Sequence, residues 1–171
     1  SGSTTAPSYV APPAVTNSTT DEDLGNITIT NGATTILNNT TTRNSLTGTI
    51  GTASGTVGSY ADFTAFGPFV LIANNSYNLS LTSVDAGTSF SHAMAVFIDY
   101  NRNGVFTDAG EQVYNQGATI SGAHTSTGSF TVPANITPGY TRMRIIVTEA
   151  TITSPTQTVS YGEFEEYMID L

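Results

Sequence analysis

His92-Ala-Met-Ala-Val-Phe-Ile98 runs straight into Asp99-Tyr-Asn-Arg-Asn-Gly-Val-Phe-Thr-Asp-Ala-Gly-Glu111. The first segment is a short apolar run with β-type residues, bounded by a cluster of Asx and Gly, and reads as a buried strand rather than a long amphipathic helix. The second places oxygen-bearing side chains at Asp99, Asn101 and Asn103 ahead of Gly104, the pattern D-x-N-x-N-G. Calcium takes about six to eight oxygen ligands and favours a loop that turns sharply at a glycine. Asp99, Asn101 and Asn103 then supply side-chain oxygens, Val105 a backbone carbonyl, and Asp108 or Glu111 the closing acid. In the helix-loop-helix version of such a loop the closing Glu is the twelfth residue. Here that position is Gly110, and Glu111 comes one later. The reading is therefore strand, calcium loop, strand. An ion-free Asx turn is the alternative, since Asn, Asp and Gly are also ordinary turn residues.

Outward from this centre the same strand-and-turn grammar continues. Leu24 to Thr30 alternates and meets the turn signal Asn31-Gly32. Ser45 to Gly51, Tyr60 to Thr64 and Phe69 to Ile72 follow. Tyr77-Asn-Leu-Ser-Leu-Thr82 puts Tyr77, Leu79 and Leu81 on one face, and its expected partner is 69–72 through the Ala73 to Ser76 turn. After the loop come 112–114, 130–132, Tyr140 to Thr148 and Glu163 to Leu171. In the 140–148 strand Met143, Ile145 and Val147 face one way, with Arg142, Arg144 and Ile146 on the other. No segment keeps a 3.6-residue apolar period, so about nine short strands are expected in an antiparallel two-sheet β-sandwich of jelly-roll or immunoglobulin-like type.

The chain has 171 residues, enough for one core, and no cysteine, which removes disulfides and thiolate chemistry. Residues 1–20, rich in Pro, Ser and Thr, read as a linker or loosely packed arm, and 21–171 as a single domain. Ser1-Gly2-Ser3 looks like an expression remnant. Four arginines and no lysine face thirteen acids, for a formal charge of −9. That surface disfavours nucleic acid and anionic lipid and suits divalent cations. No apolar run approaches about 18 residues, so no membrane insertion is expected.

Three stretches together resemble the GEVED-domain family of secreted bacterial proteins. They are Tyr60-Ala-Asp-Phe-Thr64, the block from Phe97 to Val113, and Thr141-Arg-Met-Arg144 with Gly162-Glu-Phe-Glu-Glu-Tyr167. The last is a variant of the signature that names the family, with Phe164 for Val and Glu166 for Asp. The resemblance covers roughly 21–171 and implies an accessory β-sandwich attached to large secreted or surface proteins, among them proteases, glycan-degrading enzymes and adhesin-like chains. Cysteines often found in members are absent here.

The remaining candidates are few. Glu163, Glu165 and Glu166 either pair with Arg142 and Arg144 as a structural ion network or contribute to a cation site. Tyr100, Tyr114, Tyr140 and Tyr161 lie in or beside expected loops, where flat rings would stack on sugar faces, though the absence of Trp weakens that reading. His92 and His124 have no metal-motif spacing and read as surface or core-edge residues. There is no G-x-S-x-G or H-E-x-x-H, so no catalytic residues are expected. The function read from the sequence is a non-catalytic, calcium-stabilised accessory or adhesion module, secreted or on a bacterial cell surface. The alternative is a carbohydrate-binding module that targets an appended enzyme to polysaccharide. Its expected partners are polysaccharide, cell-surface glycan, or other domains of a parent protein.

Overall fold

Period-two patterning carries through the chain, and the computed structural model describes it over residues 2–17, 22–40, 60–85 and 89–171. The expected strand at 45–51 lies outside the described residues. Eleven strands are found among those described: β1 (Asp23–Asn31), β2 (Thr34–Asn39), β3 (Tyr60–Phe63), β4 (Phe69–Val70), β5 (Ser76–Val84), β6 (Ser91–Ile98), β7 (Gln112–Asn115), β8 (Ile120–Ser121), β9 (Thr125–Thr131), β10 (Tyr140–Thr148) and β11 (Gly162–Asp170). A single 3-10 turn, Thr64–Phe66, is the only helical element among them, so no described helix is long and apolar enough to cross a membrane.

The strands form the two sheets of a sandwich. One has the order β2-β1-β5-β9; the other runs β3-β11-β10-β6-β7, with β4 beside β11 and β8 beside β6. Pairing is antiparallel except along β11, where β3 and β4 both run parallel to it. Local sequence misleads at one point. The 69–72 run does not pair with β5: β4 joins β11 in the larger sheet, whereas β5 lies between β1 and β9. The intervening residues, with Asn74 at φ 65°, carry the chain from one sheet to the other. Alternation alone cannot tell a hairpin from such a crossing, because both present the same period.

Between the sheets lies the main core, with Ile27, Ile29, Leu79 and Leu81 meeting Met94, Val96, Ile98, Met143, Ile145, Val147 and Tyr167. The larger sheet is buried on its other face too. There Ala93, Ala95, Phe97, Ile146 and Phe164 pack with Phe106, Ile152 and Val159, and with Tyr9 and Val15 from the N-terminal arm. This explains why β6 lacks alternation: residues His92 to Ile98 are all buried.

The arm, expected to be a linker or loosely attached, is docked. Tyr140 donates to the Ser3 carbonyl (2.8 Å), and Thr16 and Asn17 donate to Val159 and Ser160. Tyr9 stacks on Phe106 with ring centroids 5.1 Å apart, and the Arg142 guanidinium lies over its ring. Its low apolar content hid this, because the arm is held by backbone hydrogen bonds and one aromatic anchor.

Candidate functional site

The Asp99 loop leaves the end of β6 and is closed by backbone bonds at both sides: Ile98 donates to the Glu111 carbonyl (2.8 Å) and Glu111 to that of Asp108 (3.1 Å). Asp99 is fully buried. Its Oδ2 accepts from the Gly104 N–H (2.9 Å) and from the Tyr9 hydroxyl (2.7 Å), while Oδ1 accepts from Asn103 N–H at 3.2 Å. Asn101 Oδ1 accepts from Asn103 N–H (3.0 Å) and Asn103 Oδ1 from Val105 N–H (3.0 Å). Gly104 sits at φ +89°, where a Cβ would lie 2.6 Å from the Ser8 carbonyl oxygen, so the turn and the docked arm both require glycine.

The acids close the loop differently. Glu111 is 2% exposed and uses both oxygens on the backbone, accepting from Tyr100 N–H (3.0 Å) and Asp108 N–H (3.2 Å). Burial pushes its carboxyl up, and the nearby Asp99 and Asp108 charges push the same way. Asp108 is exposed, and its Oδ2 takes the amides of Asn101 (2.8 Å) and Asn103 (2.6 Å). Glu111 thus acts as a strut, and Asp108 is the acid that shares a face with the two Asn side chains. Val105 is 42% exposed at the outer edge of this turn. Each candidate ligand residue carries an oxygen a hard cation could take, with the glycine at the sharp bend, while in this structure the Asn101 and Asn103 amide nitrogens are the atoms that face Asp108.

Of the acids expected to face Arg142 and Arg144, only Glu166 does. Its Oε2 accepts from Arg142 Nη1 (2.6 Å), and its Oε1 from Arg144 Nε (2.8 Å) and Nη2 (2.6 Å). Tyr60 donates its hydroxyl to Oε2 at 2.9 Å. Arg144 is 1% exposed, lies over the Phe106 ring, and also donates to the carbonyls of Pro155 and Val10. Glu163 and Glu165 alternate onto the opposite face, between the sheets. There Glu163 accepts from Leu24 N–H (2.8 Å) and Glu165 from the Tyr167 hydroxyl (2.7 Å). Burial raises the Glu165 carboxyl to about 8, against the pull of the Tyr167 hydrogen bond and helped by the Asp23 charge.

None of the four tyrosines expected at a sugar platform is exposed. Tyr100 is 6% exposed and belongs to the main core, and its N–H donates to the Glu111 strut. Tyr114 is half-buried and packs against the same core, and Tyr140 and Tyr161 are half-buried.

A second cluster was not visible in the sequence. Glu22, just before β1, Asp85, just after β5, and His92 on β6 bring one ligand atom each to within 4.8 Å of one another. They are 63 and 70 residues from Glu22 in the chain, counted from their numbers, so no motif spacing marks them. These three side chains are a group able to hold a metal ion.

Fold and sites together describe a two-sheet β-sandwich with an Asx-rich loop on its larger sheet and clustered metal-type ligands. The family model of the GEVED domain matches residues 93–170, so the family read from the sequence is found from β6 to the end of β11. The Tyr60 to Thr64 stretch lies outside that match. No curated protein sequence matches the chain. Among solved structures, the chain is similar to a family 123 glycoside hydrolase from Clostridium perfringens, with 9% identity, a TM-score of 0.41, and 66% of this chain and 22% of that one covered. It is also similar to the CARDB domain of a Pyrococcus furiosus protein. The solution structure gives 17% identity and a TM-score of 0.34, over 61% of this chain and 86% of that one. The crystal structure in complex with di-metal ions gives 16% and 0.34, over 61% and 84%. The chain spans 22% of the hydrolase's length, and at these scores nothing of these proteins' chemistry passes to it.

Proposed function

We propose that the chain is a non-catalytic accessory module of a secreted or cell-surface multidomain protein, stabilised by calcium at the Asp99 loop. The observation that carries this reading is the pre-folded loop. Asp99 is fixed by Gly104 and Tyr9, and on the loop's exposed side the side chains of Asn101 and Asn103 meet Asp108. A bound calcium would supply charge neutralisation for Asp99 and Asp108. The chain's own residues do the rest: Asp99 ties the loop to the core, Glu111 holds its closing turn, and Tyr9 couples it to the arm. Adhesion or targeting would then be served by a surface whose shape the loop fixes.

Calorimetric titration of the chelator-treated protein with calcium tests the reading. Binding that disappears in Asp99→Ala is expected, with a stabilisation of roughly 2.7 kcal/mol when free calcium is about a hundredfold above its dissociation constant. An unchanged melting temperature between EDTA and millimolar calcium refutes it.

A carbohydrate-binding reading is favoured by one different feature. An open groove of about 500 Å³ crosses the outer face of β1, β5 and β9, lined by Thr28, Thr30, Asn78, Ser80, Thr127 and Ser129. Such a hydroxyl and amide carpet matches the hydrogen-bonding surface of a polysaccharide, without aromatic platforms. Affinity electrophoresis on plant, algal and bacterial glycans checks it, and no retardation on any of them counts against it.

A further inference from the structure

The Glu22, Asp85 and His92 cluster sits at the opposite end of β6 from the Asp99 loop. His92 and Asp99 are seven positions apart in the chain, about 23 Å along a strand. Its carboxylates come from the end of the β1–β5 ladder. Asp23 pairs with Val84, so the next pair outward is Glu22 with Asp85. Like charges directly opposite on a ladder repel. His92 reaches them from the other sheet, with Nδ1 3.8 Å from Glu22 Oε1 and 3.9 Å from Asp85 Oδ1.

Hydrogen bonding fixes which nitrogen faces the acids. The Ser83 hydroxyl donates to the His124 carbonyl (3.2 Å) and accepts from His124 N–H (3.1 Å). It therefore accepts from His92 Nε2–H, 2.7 Å away, which leaves Nδ1 as the nitrogen that faces the carboxylates. The ring is held by stacking on His124 at 4.6 Å. His124 itself is committed to the Gly122 carbonyl and Gln116 Oε1. A hydroxyl or carbonyl on the far nitrogen is how metal-bound histidines are oriented.

The Nδ1 to carboxylate spans exceed a hydrogen bond. Two ligands about 2.1 Å from a tetrahedral ion are about 3.4 Å apart, so the two imidazole–carboxylate spans of 3.8 and 3.9 Å need a contraction of about half an ångström, and the triad as a whole, within 4.8 Å, one of at most about 1.4 Å. A second observation points the same way. The Asp85 side chain is nine-tenths buried, and its Oδ1, aimed into the cluster, has no hydrogen-bond partner.

We infer that Glu22, Asp85 and His92 form a site for a divalent transition ion of the zinc class, which pins the β1–β5 end of one sheet to β6 of the other. An imidazole nitrogen among the donors favours zinc-class ions over calcium, which prefers oxygen alone. The two carboxylates balance the ion's charge, and Asp85 is the least buried of the three ligands.

The test uses the whole chain, stripped with chelator and then given zinc or calcium separately. Elemental analysis after gel filtration should find about one zinc per chain, with a melting temperature raised by about 5–10 °C at a hundredfold excess over the dissociation constant. Both should persist in Asp99→Ala and be lost in Asp85→Asn. Imidazole ¹⁵N spectra of the unsubstituted protein give a second readout that needs no variant: zinc should shift His92 Nδ1 and leave Nε2 in place. No zinc retained, no shift at His92 Nδ1, or an Asp85-dependent response to calcium instead of zinc would each overturn the assignment. Failure of the calcium reading at the Asp99 loop leaves these outcomes unchanged, because the two sites are read by different ions and different variants.

Discussion

Replacing Glu166 by Gln keeps its shape and removes its charge, leaving Arg144 1% exposed without a counter-ion. Three guanidinium hydrogen bonds of 2.6–2.8 Å converge on that carboxylate, and its own side chain is fully buried. Burial means that water cannot replace what is lost. A surface pair would contribute only about 0–1 kcal/mol. Breaking a buried one costs about 3–5 kcal/mol, since a charge is stranded in low dielectric. For a domain of this length that is a fall of about 6–20 °C in Tm. Arg142, with 27% of its side chain exposed, can turn to water, so the loss centres on Arg144. Urea denaturation of the wild type and Glu166→Gln gives the difference, and added salt should barely change it. The double variant Arg144→Met with Glu166→Leu should recover much of the loss, because neither charge of the buried pair is then left stranded. A Glu166→Gln loss below about 1 kcal/mol, of surface-pair size, would refute the reasoning and show the network to be solvated.

Glu165 sets a pH dependence. Its folded carboxyl titrates near 8, above the value in the unfolded chain, so its contribution to stability is fully present at low pH and is lost as pH rises toward 8. Thermal melts between pH 5 and 8 should therefore slope downward in the wild type and flatten in Glu165→Gln. Gly162→Ala should destabilise the chain by about 1–3 kcal/mol or more, because Gly162 has φ +130° and a Cβ there would lie 1.9 Å from the Val147 carbonyl oxygen. Chemical denaturation measures it. Tyr9→Phe removes a hydroxyl donated to Asp99 and should cost about 1.5–3 kcal/mol, while raising protease sensitivity of the arm. Limited proteolysis with mass analysis reads the second effect.

The signature stretch shows how far the sequence could be read. Alternation along Gly162-Glu-Phe-Glu-Glu-Tyr167 assigns Phe164 and Glu166 to one face and Glu163, Glu165 and Tyr167 to the other. That parity, once both faces are known to be buried, separates the Arg-paired acid from the two that lie between the sheets. Sequence reading took all three glutamates as one cluster and did not divide them between the two faces. Low apolar content left the arm loose in the same reading.

The sequence by itself determined most of the strands, the lack of a long amphipathic helix among the described residues, the Asx-rich loop at the end of β6 and the opposed faces of β10, because period and turn chemistry are local. Only the tertiary structure decided which strands pair, that β4 leaves β5 for β11, and that Tyr100 is core. It alone brought Glu22, Asp85 and His92 together. Those outcomes depend on contacts between residues far apart in the chain, where one strand's pattern is compatible with many partners and burial of both faces is settled by what covers them.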